Sequence, residues 1–304
     1  MKSKQQNNFK EKLKKYFMAG VDFLIDTEGK VVFIEANSYP GLFRALEQKY
    51  GFCKPINEMK KTFTNENHFL FIETQKTYDT DSKYKYKKFK EFFGSDKVKK
   101  EIIKDLKKET IENLKDKILK LNYCPIIYTP FVKLKKILLD NNYHYILNPY
   151  PITKLTINKS TLYSKIKSTK NFKVPNSYSF KTKSALLKII KENKLNKIVI
   201  KPQNGQRGKD LYIINDLKEL KKIRLKKQDW IVQEKIEINK INNNFWDIRS
   251  YVINNNFCGM IGRKSKNPAV NVSLGGKTFK IPNDLEEKIK KASEDVVRQI
   301  NKML

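Results

Sequence analysis

The chain has 304 residues, a formal charge of +32 and 39% hydrophobic residues, enough to bury a sizeable core in two or three packed units although 32% of its residues are charged. Cys53, Cys124 and Cys258 are widely spaced and lack C-x-x-C pairing, and His68 and His144 stand alone, which argues against a disulfide framework, a zinc centre or Cys/His nucleophilic chemistry and fits a reducing cytoplasm. No apolar run approaches the roughly 18 residues that span a bilayer, and the N-terminus MKSKQQNNFKEKLKK has no signal-peptide core. The charge excess is mostly Lys dispersed among abundant Asn and Ile, as an AT-rich coding bias produces. It would attract anionic substrates but does not by itself indicate nucleic-acid binding.

Residues 8–18 predict a helix, with Phe9, Leu13 and Phe17 at four-residue spacing. Two apolar-rich runs, Val21–Ile25 and Val31–Ile34, flank Asp26-Thr27-Glu28-Gly29 and predict a β-hairpin. Glu35 and Asn37 are two apart and share a strand face, and Asp22 can arrive opposite them on the partner strand. Two carboxylates and an amide oxygen form a hard-cation set suited to Mg²⁺ carrying phosphates, although a surface hairpin with solvated acids would show the same residues. Pro40-Gly41 ends the strand, and 42–50 reads as a short helix.

Next, His68–Glu73 is an apolar strand candidate. The run KYKYKKFKEFF at 83–93 could stack bases, but we favour an amphipathic surface segment with buried rings and solvated lysines. Ser95 is expected to cap a helix over 96–121, with Ile103, Leu106, Thr110, Leu114 and Ile118 inward. A strand at Pro125–Tyr128, a helix around 131–140 through Leu134, Ile137 and Leu138, and a strand at His144–Leu147 predict a small parallel α/β unit. Asn148-Pro149-Tyr150-Pro151 breaks the chain.

The segment TINKSTLYSKIKSTKNFKVPNSYSF reads as a helix followed by an extended exit at Val174-Pro175. An apolar strand, Ile198–Lys201, ends on a lysine whose ammonium is costly to bury without a partner, and a phosphate oxygen is the natural one. Gly205 and Gly208 let the following loop bring its N–H groups close to phosphates, without the Walker pattern. Strands at Leu211–Ile214 and from Trp230 to Glu237 come next. Asp247-Ile248-Arg249 places an acid and a guanidinium on one strand face. After the turn Asn254-Asn255-Asn256, a returning strand ends at Arg263, which can grip a transferring phosphoryl group or an acyl phosphate. Asn283 and Glu286 have capping-box spacing, and Leu285, Ile289, Ala292, Val296 and Ile300 form a helical stripe to the last residue.

The stretch AGVDFLIDTEGKVVFIEANSYPGL resembles the metal-binding end of the ATP-grasp fold, as in D-alanine–D-alanine ligases, glutathione synthetases and ribosomal-protein glutamate ligases. Those families show an Asp, then Glu-x-Asn and Pro-Gly; the Asp-to-Glu spacing here, 35 − 22 = 13, matches the D-alanine ligase pattern. The resemblance covers roughly 8–45 and 154–304. It implies ATP and Mg²⁺, the metal held by Asp22, Glu35 and Asn37. Lys159 and Lys201 would reach the phosphates under a loop of Asn204, Gly205, Gln206, Arg207 and Gly208. Gln233, Glu234, Lys235 and Ile236 would lie against adenine on an edge strand joining two lobes, with Glu237 on ribose and Asp247 in the ATP site. Arg263, Arg249 and Lys201 would be catalytic, and Asn271, Gly275 and Gly276 would bind substrate. DIR, the G-R-x strand end and N-x-S-x-G-G look most like the spore-coat-associated (YheC/YheD-like) ATP-grasp family. In glutamate ligases an Arg stands where this chain has Ala269, a departure that bears on the acceptor substrate.

In those relatives the metal hairpin closes the domain, whereas here it opens the chain. Two arrangements account for this: a circular permutation with the hairpin folding beside its own C-terminal helix, or a chain boundary within a tandem array, with segments exchanged between chains. The expected fold class is therefore α/β with α+β lobes: an ATP-grasp two-lobed nucleotide-binding fold with a small parallel α/β domain, circularly permuted or cut from a tandem array. The expected division is 1–50 metal hairpin, 51–153 linker and α/β unit, 154–232 N-lobe and 233–304 C-lobe. The implied function is an ATP-dependent carboxylate–amine ligase working through an acyl phosphate on small-molecule or peptide substrates. The alternatives are a catalytically degenerate nucleotide-binding coat protein and a basic RNA or DNA binder acting through 83–100. A cytoplasmic or spore-associated location goes with this reading, as does self-association by segment exchange.

Overall fold

Strand β1 (Met18–Ile25) is almost wholly buried and lies inside an antiparallel sheet of order β12-β11-β10-β1-β2. The other members are β2 (Val31–Asn37), β10 (Phe245–Ile253), β11 (Asn256–Ser265) and β12 (Lys277–Phe279). The computed structural model describes residues 15, 17–63, 68–74, 80–103, 107–127, 132–205, 210–270, 272 and 275–304. The helix expected over 8–18 falls largely outside them, and Met18 already belongs to β1.

Alternation decides the two faces of this sheet. Ala19, Val21 and Phe23 of β1, with Ile248 and Val252 of β10, point to one core. That core is closed by α6 (Tyr150–Ile157), α7 (Lys159–Lys165) and α9 (Glu286–Lys302). Ile289, Ala292, Val296 and Ile300 of α9 are fully buried, which is the stripe read from the sequence. The capping box does not form: Asn283–Leu285 is a 3-10 turn after Pro282, and neither it nor α9 has a side-chain cap. On the opposite face Met18, Tyr251, Ile253 and Ile261 join a second core. Gly20 is required there, because a Cβ would sit 2.5 Å from Pro40 Cβ.

The second core holds α1 (Phe43–Tyr50), α2 (Lys54–Thr62), α3 (Thr80–Phe93) and a parallel sheet of order β4-β3-β5. Its strands are β3 (Phe69–Thr74), β4 (Val98–Ile103) and β5 (Cys124–Ile127). Phe89 and Phe93 of α3 are buried against Phe69, so the rings of the 83–93 run pack inward. Two expectations are corrected here. The helix over 96–121 is β4 followed by α4 (Lys108–Leu121), whose buried stripe is Ile111, Leu114 and Ile118, so Ser95 caps no helix. Val98 and Ile103 are drawn into the sheet by pairing with β3, a contact distant in sequence that overrides local helical spacing. Residues 144–147, after α5 (Val132–Asp140), form no strand; Tyr145, Ile146 and Leu147 are buried as irregular backbone. The parallel unit is thus built around β3.

A third sheet, β6-β9-β7-β8, is antiparallel and covered by α8 (Lys183–Glu192). It comprises β6 (Ser177–Phe180), β7 (Ile198–Pro202), β8 (Tyr212–Ile214) and β9 (Trp230–Glu234). β9 is not an edge strand: β6 and β7 flank it, and Trp230 and Val232 are completely buried. Among the described residues no helix is long and apolar enough to cross a membrane.

Candidate active site

A cavity of about 1000 Å³ runs between the third sheet and the five-stranded sheet. Its walls include the apolar residues Pro175, Val199, Leu211, Ile213 and Ile236, together with Tyr39, Leu42, Asp81, Ala269 and Val270. The same cavity is lined by Lys159, Lys201, Glu35, Asn37, Arg249 and Arg263. The site residues on the hairpin and those on β7, α7, β10 and β11 thus meet within one chain.

The register of the hairpin puts the acids there. Phe23 pairs Phe33, Asp22 pairs Glu35 and Gly20 pairs Asn37, so the ladder slips by one residue at Ile34. Without that bulge, Glu35 and Asn37 would share the face of Val31 and Phe33 and enter the core; the extra residue turns them to the cavity. The Asn37 amide donates to Glu35 Oε1 at 3.3 Å, which leaves its own oxygen for another partner.

Asp22 is 1% exposed and carries three donors: Arg249 Nε at 2.7 Å, Arg249 Nη2 at 2.6 Å and Arg263 Nη2 at 3.0 Å. Arg263 is also bidentate to Asp247, both contacts at 2.6 Å. Burial works against ionisation of Asp22, but the two guanidiniums win and hold its carboxyl well below the usual range. Asp247 faces the same burial with less help and moves upward. Two acids and two arginines neutralise one another in this quartet.

Lys159 opens α7 after the Asn158 cap; its Nζ donates to the Gly205 carbonyl and lies 3.7 Å from Glu35 Oε2. Lys201 is 7% exposed and donates to the Tyr163 hydroxyl at 2.7 Å. Burial, followed by repulsion from Lys159, pulls its ammonium down to about 7. An arriving anion would reverse that shift.

Gln233, Glu234, Lys235, Ile236 and Glu237 all line the cavity. The Glu234 amide donates to Asn176 O and the Lys235 amide to Lys197 O. Glu237 is held ionised by hydrogen bonds from Lys197 and then Lys235, at 2.8 and 2.9 Å. Asn204 is exposed, Gly275 sits on an exposed turn with φ of 89°, and neither they nor Gly276 lie on the cavity wall. Gln206, Arg207, Gly208 and Asn271 lie outside the described residues. Sequence reading missed Tyr163, although its place four residues after Lys159 puts both on one helical face.

Among the described residues no three His, Cys, Asp or Glu side chains converge as a metal site. The hairpin instead offers two carboxylates and an amide. Glu35 is part-exposed to the cavity, the Asn37 oxygen is turned away from Glu35, and Asp22 Oδ1 has a second lone pair beyond its one donor. This all-oxygen set fits a divalent magnesium ion.

Comparison with known proteins bears on the fold. A profile described as the Tubulin-tyrosine ligase family matches residues 137–258, less than half of the chain. No curated protein matches the sequence. Among solved structures, a candidate gamma-glutamylcysteine synthetase from Methylobacillus flagellatus is similar at 10% identity and a TM-score of 0.52, covering 98% of this chain and 91% of that one. D-alanine–D-alanine ligase from Bacillus anthracis, complexed with ATP, is similar at 9% identity and a TM-score of 0.47, with 78% and 79% covered. N5-carboxyaminoimidazole ribonucleotide synthetase from Thermotoga maritima is similar at 13% and 0.48, with 77% and 62% covered. The fold is the two-lobed ATP-grasp fold.

Proposed function

We propose that this chain is an ATP-dependent ligase that joins a carboxylate to an amine through an acyl phosphate. The observation that carries the reading is the convergence in one cavity of Lys159 and Lys201, the acids of the hairpin, and two buried arginines. Adenine would lie against Gln233, Glu234, Lys235 and Ile236, with Glu237 toward ribose. Lys159 and Lys201 would bind the phosphates beside Gly205. Asp22, Glu35 and Asn37 would hold Mg²⁺, which when bound neutralises charge between the outer phosphates.

A carboxylate oxygen attacks the γ-phosphorus and the bond to the bridging oxygen breaks, releasing ADP. The amine nitrogen then attacks the acyl carbon, phosphate departs, and the amine proton passes to phosphate or water. Arg263 and Arg249 keep N–H donors beyond those spent on the two aspartates, and these would steady the transferring oxygens. No side-chain nucleophile is needed, since positioning carries the rate.

The hairpin that comes first in the sequence completes the sheet of β10 and β11, and we read this as a circularly permuted order of ATP-grasp parts. On this reading 1–50 and 233–304 form the C-lobe, 154–232 the N-lobe and 51–153 the α/β unit, nearest to the spore-coat-associated family. One observation favours a second reading: the quartet of Asp22, Asp247, Arg249 and Arg263 is self-neutralised, as suits a nucleotide-binding protein without turnover.

A single assay separates the two. Release of ADP and phosphate only when carboxylate and amine substrates are both present supports the ligase. Glu35→Gln should then lower that release at least a hundredfold while the protein still melts cooperatively. Tight ATP binding with no release across a broad panel of amino acids and peptides would replace the ligase by the binding protein.

A further inference from the structure

The bulge at Ile34 turns Glu35 and Asn37 outward, and it also leaves Ile34 without an opposite residue on β1. A displaced backbone carbonyl in a buried strand needs a donor. The Ile34 carbonyl receives the hydroxyl proton of Tyr163, a core residue of α7 that is 6% exposed. The same hydroxyl oxygen accepts a hydrogen bond from Lys201 Nζ at 2.7 Å, and that ammonium sits 4.6 Å from the tyrosine ring centroid.

Chemistry fixes the direction of this chain of bonds. A carbonyl can only accept, so the single phenolic proton goes to Ile34 and the lone pair faces the ammonium. Burial pushes the Tyr163 phenol upward, so it keeps that proton. One turn earlier on α7, Lys159 lies 3.7 Å from Glu35. The ring of Tyr163 meets Phe33 edge-on at 5.7 Å, which fixes its approach to the bulge. A leucine or phenylalanine would fill the same core space, so packing alone does not call for a hydroxyl.

We propose that Tyr163 is a positioning residue: its hydroxyl latches the bulge that presents Glu35 and Asn37 and aims the Lys201 ammonium into the same space. The latch couples β7 to the hairpin through one oxygen. This rests on the nucleotide reading above, with Lys201 meeting phosphate and Glu35 meeting the metal.

The test measures binding of the non-hydrolysable analogue AMP-PNP by calorimetry, in EDTA and across a magnesium titration. The proteins are the unsubstituted chain, Tyr163→Phe, Lys201→Met and the double variant. Tyr163→Phe keeps the ring and removes only the oxygen. It should weaken binding in EDTA about tenfold, the scale of a hydrogen bond to a charged group, and raise the magnesium concentration at half effect. In the Lys201→Met background the same substitution should cost less than about twofold in EDTA, since the ammonium it aims is gone. A general loosening of the fold would instead lower the melting temperature, multiply through the double variant and leave the magnesium midpoint in place; that pattern overturns the proposal. Unaltered binding by Tyr163→Phe overturns it too, while leaving the nucleotide reading standing. Absence of binding by the unsubstituted chain overturns both.

Discussion

Asn148 fastens the front of the chain to its middle through one amide. Its Oδ1 accepts from the Phe17 and Met18 amides at 2.9 and 3.0 Å, and its Nδ2 donates to Met18 O and Ser38 O at 2.6 and 2.5 Å. Both ends of the hairpin are thereby gripped at a residue with φ of 49°, a conformation asparagine tolerates. Asn148→Leu would strand several buried backbone groups, and we expect a loss of about 3–5 kcal/mol, read from the urea midpoint. The Asn148 carbonyl in turn accepts from Lys135 Nζ at 2.7 Å, which also reaches Leu147 O and Thr153 Oγ1. Lys135 has neutral partners only among these, and burial pulls its ammonium down to about 7. The unfolded lysine keeps its proton to about pH 10.4. The unfolded state therefore binds more protons between pH 7 and pH 10.4, and stability rises with pH across that window. Lys201 acts in the same direction. Denaturation at pH 6.5 and 9 should show a gain of order 2 kcal/mol per lysine, with the Lys135 share absent in Lys135→Met.

Among the elements, β2 shows what local pattern conveys and what it does not. The spacing of Asp22, Glu35 and Asn37 was legible, as were the hairpin, the stripe of α9 and the lysine ending an apolar strand. The face was not. Strict alternation from Val31 and Phe33 directs Glu35 and Asn37 into the core, and only the pairing with β1, set by the bulge, reverses it. Deleting Ile34 should therefore bury two polar side chains; we expect the cooperative thermal transition to be lost, whereas Ile34→Val should shift it little. Strand β4 went unseen for a related reason. Its helix-like spacing is overruled by β3, and a lone sequence does not state which strand will arrive beside it. The buried stretch 144–147 is apolar enough for a strand, yet it joins none of the described sheets.

For the molecule as a whole, the residues named in the cavity all come from one chain. β1 pairs with β10 of its own chain over six residue pairs from Met18 to Phe23, and Glu35 meets Lys159 directly. If the ligase reading holds, mixing inactive Glu35→Gln chains with inactive Lys201→Met chains should restore no ADP release, and the rate per chain should not depend on protein concentration. Recovery toward one quarter or one half of normal would instead reveal segment exchange between chains.

The placement of β1 inside its sheet also sets the order in which the protein can assemble. The hairpin is synthesised long before its partner strand β10, since the arginine that grips Asp22 follows it by 227 residues. At typical elongation rates of roughly 5–20 residues per second, the newborn strand waits on the order of ten seconds or more with one edge bare. Closure of such a distant pairing carries a large loop entropy and a slow refolding phase. Until β10 follows, the hairpin is an apolar ribbon with an open edge, so the yield of this protein should respond to holdase chaperones more than to the stability of the finished fold.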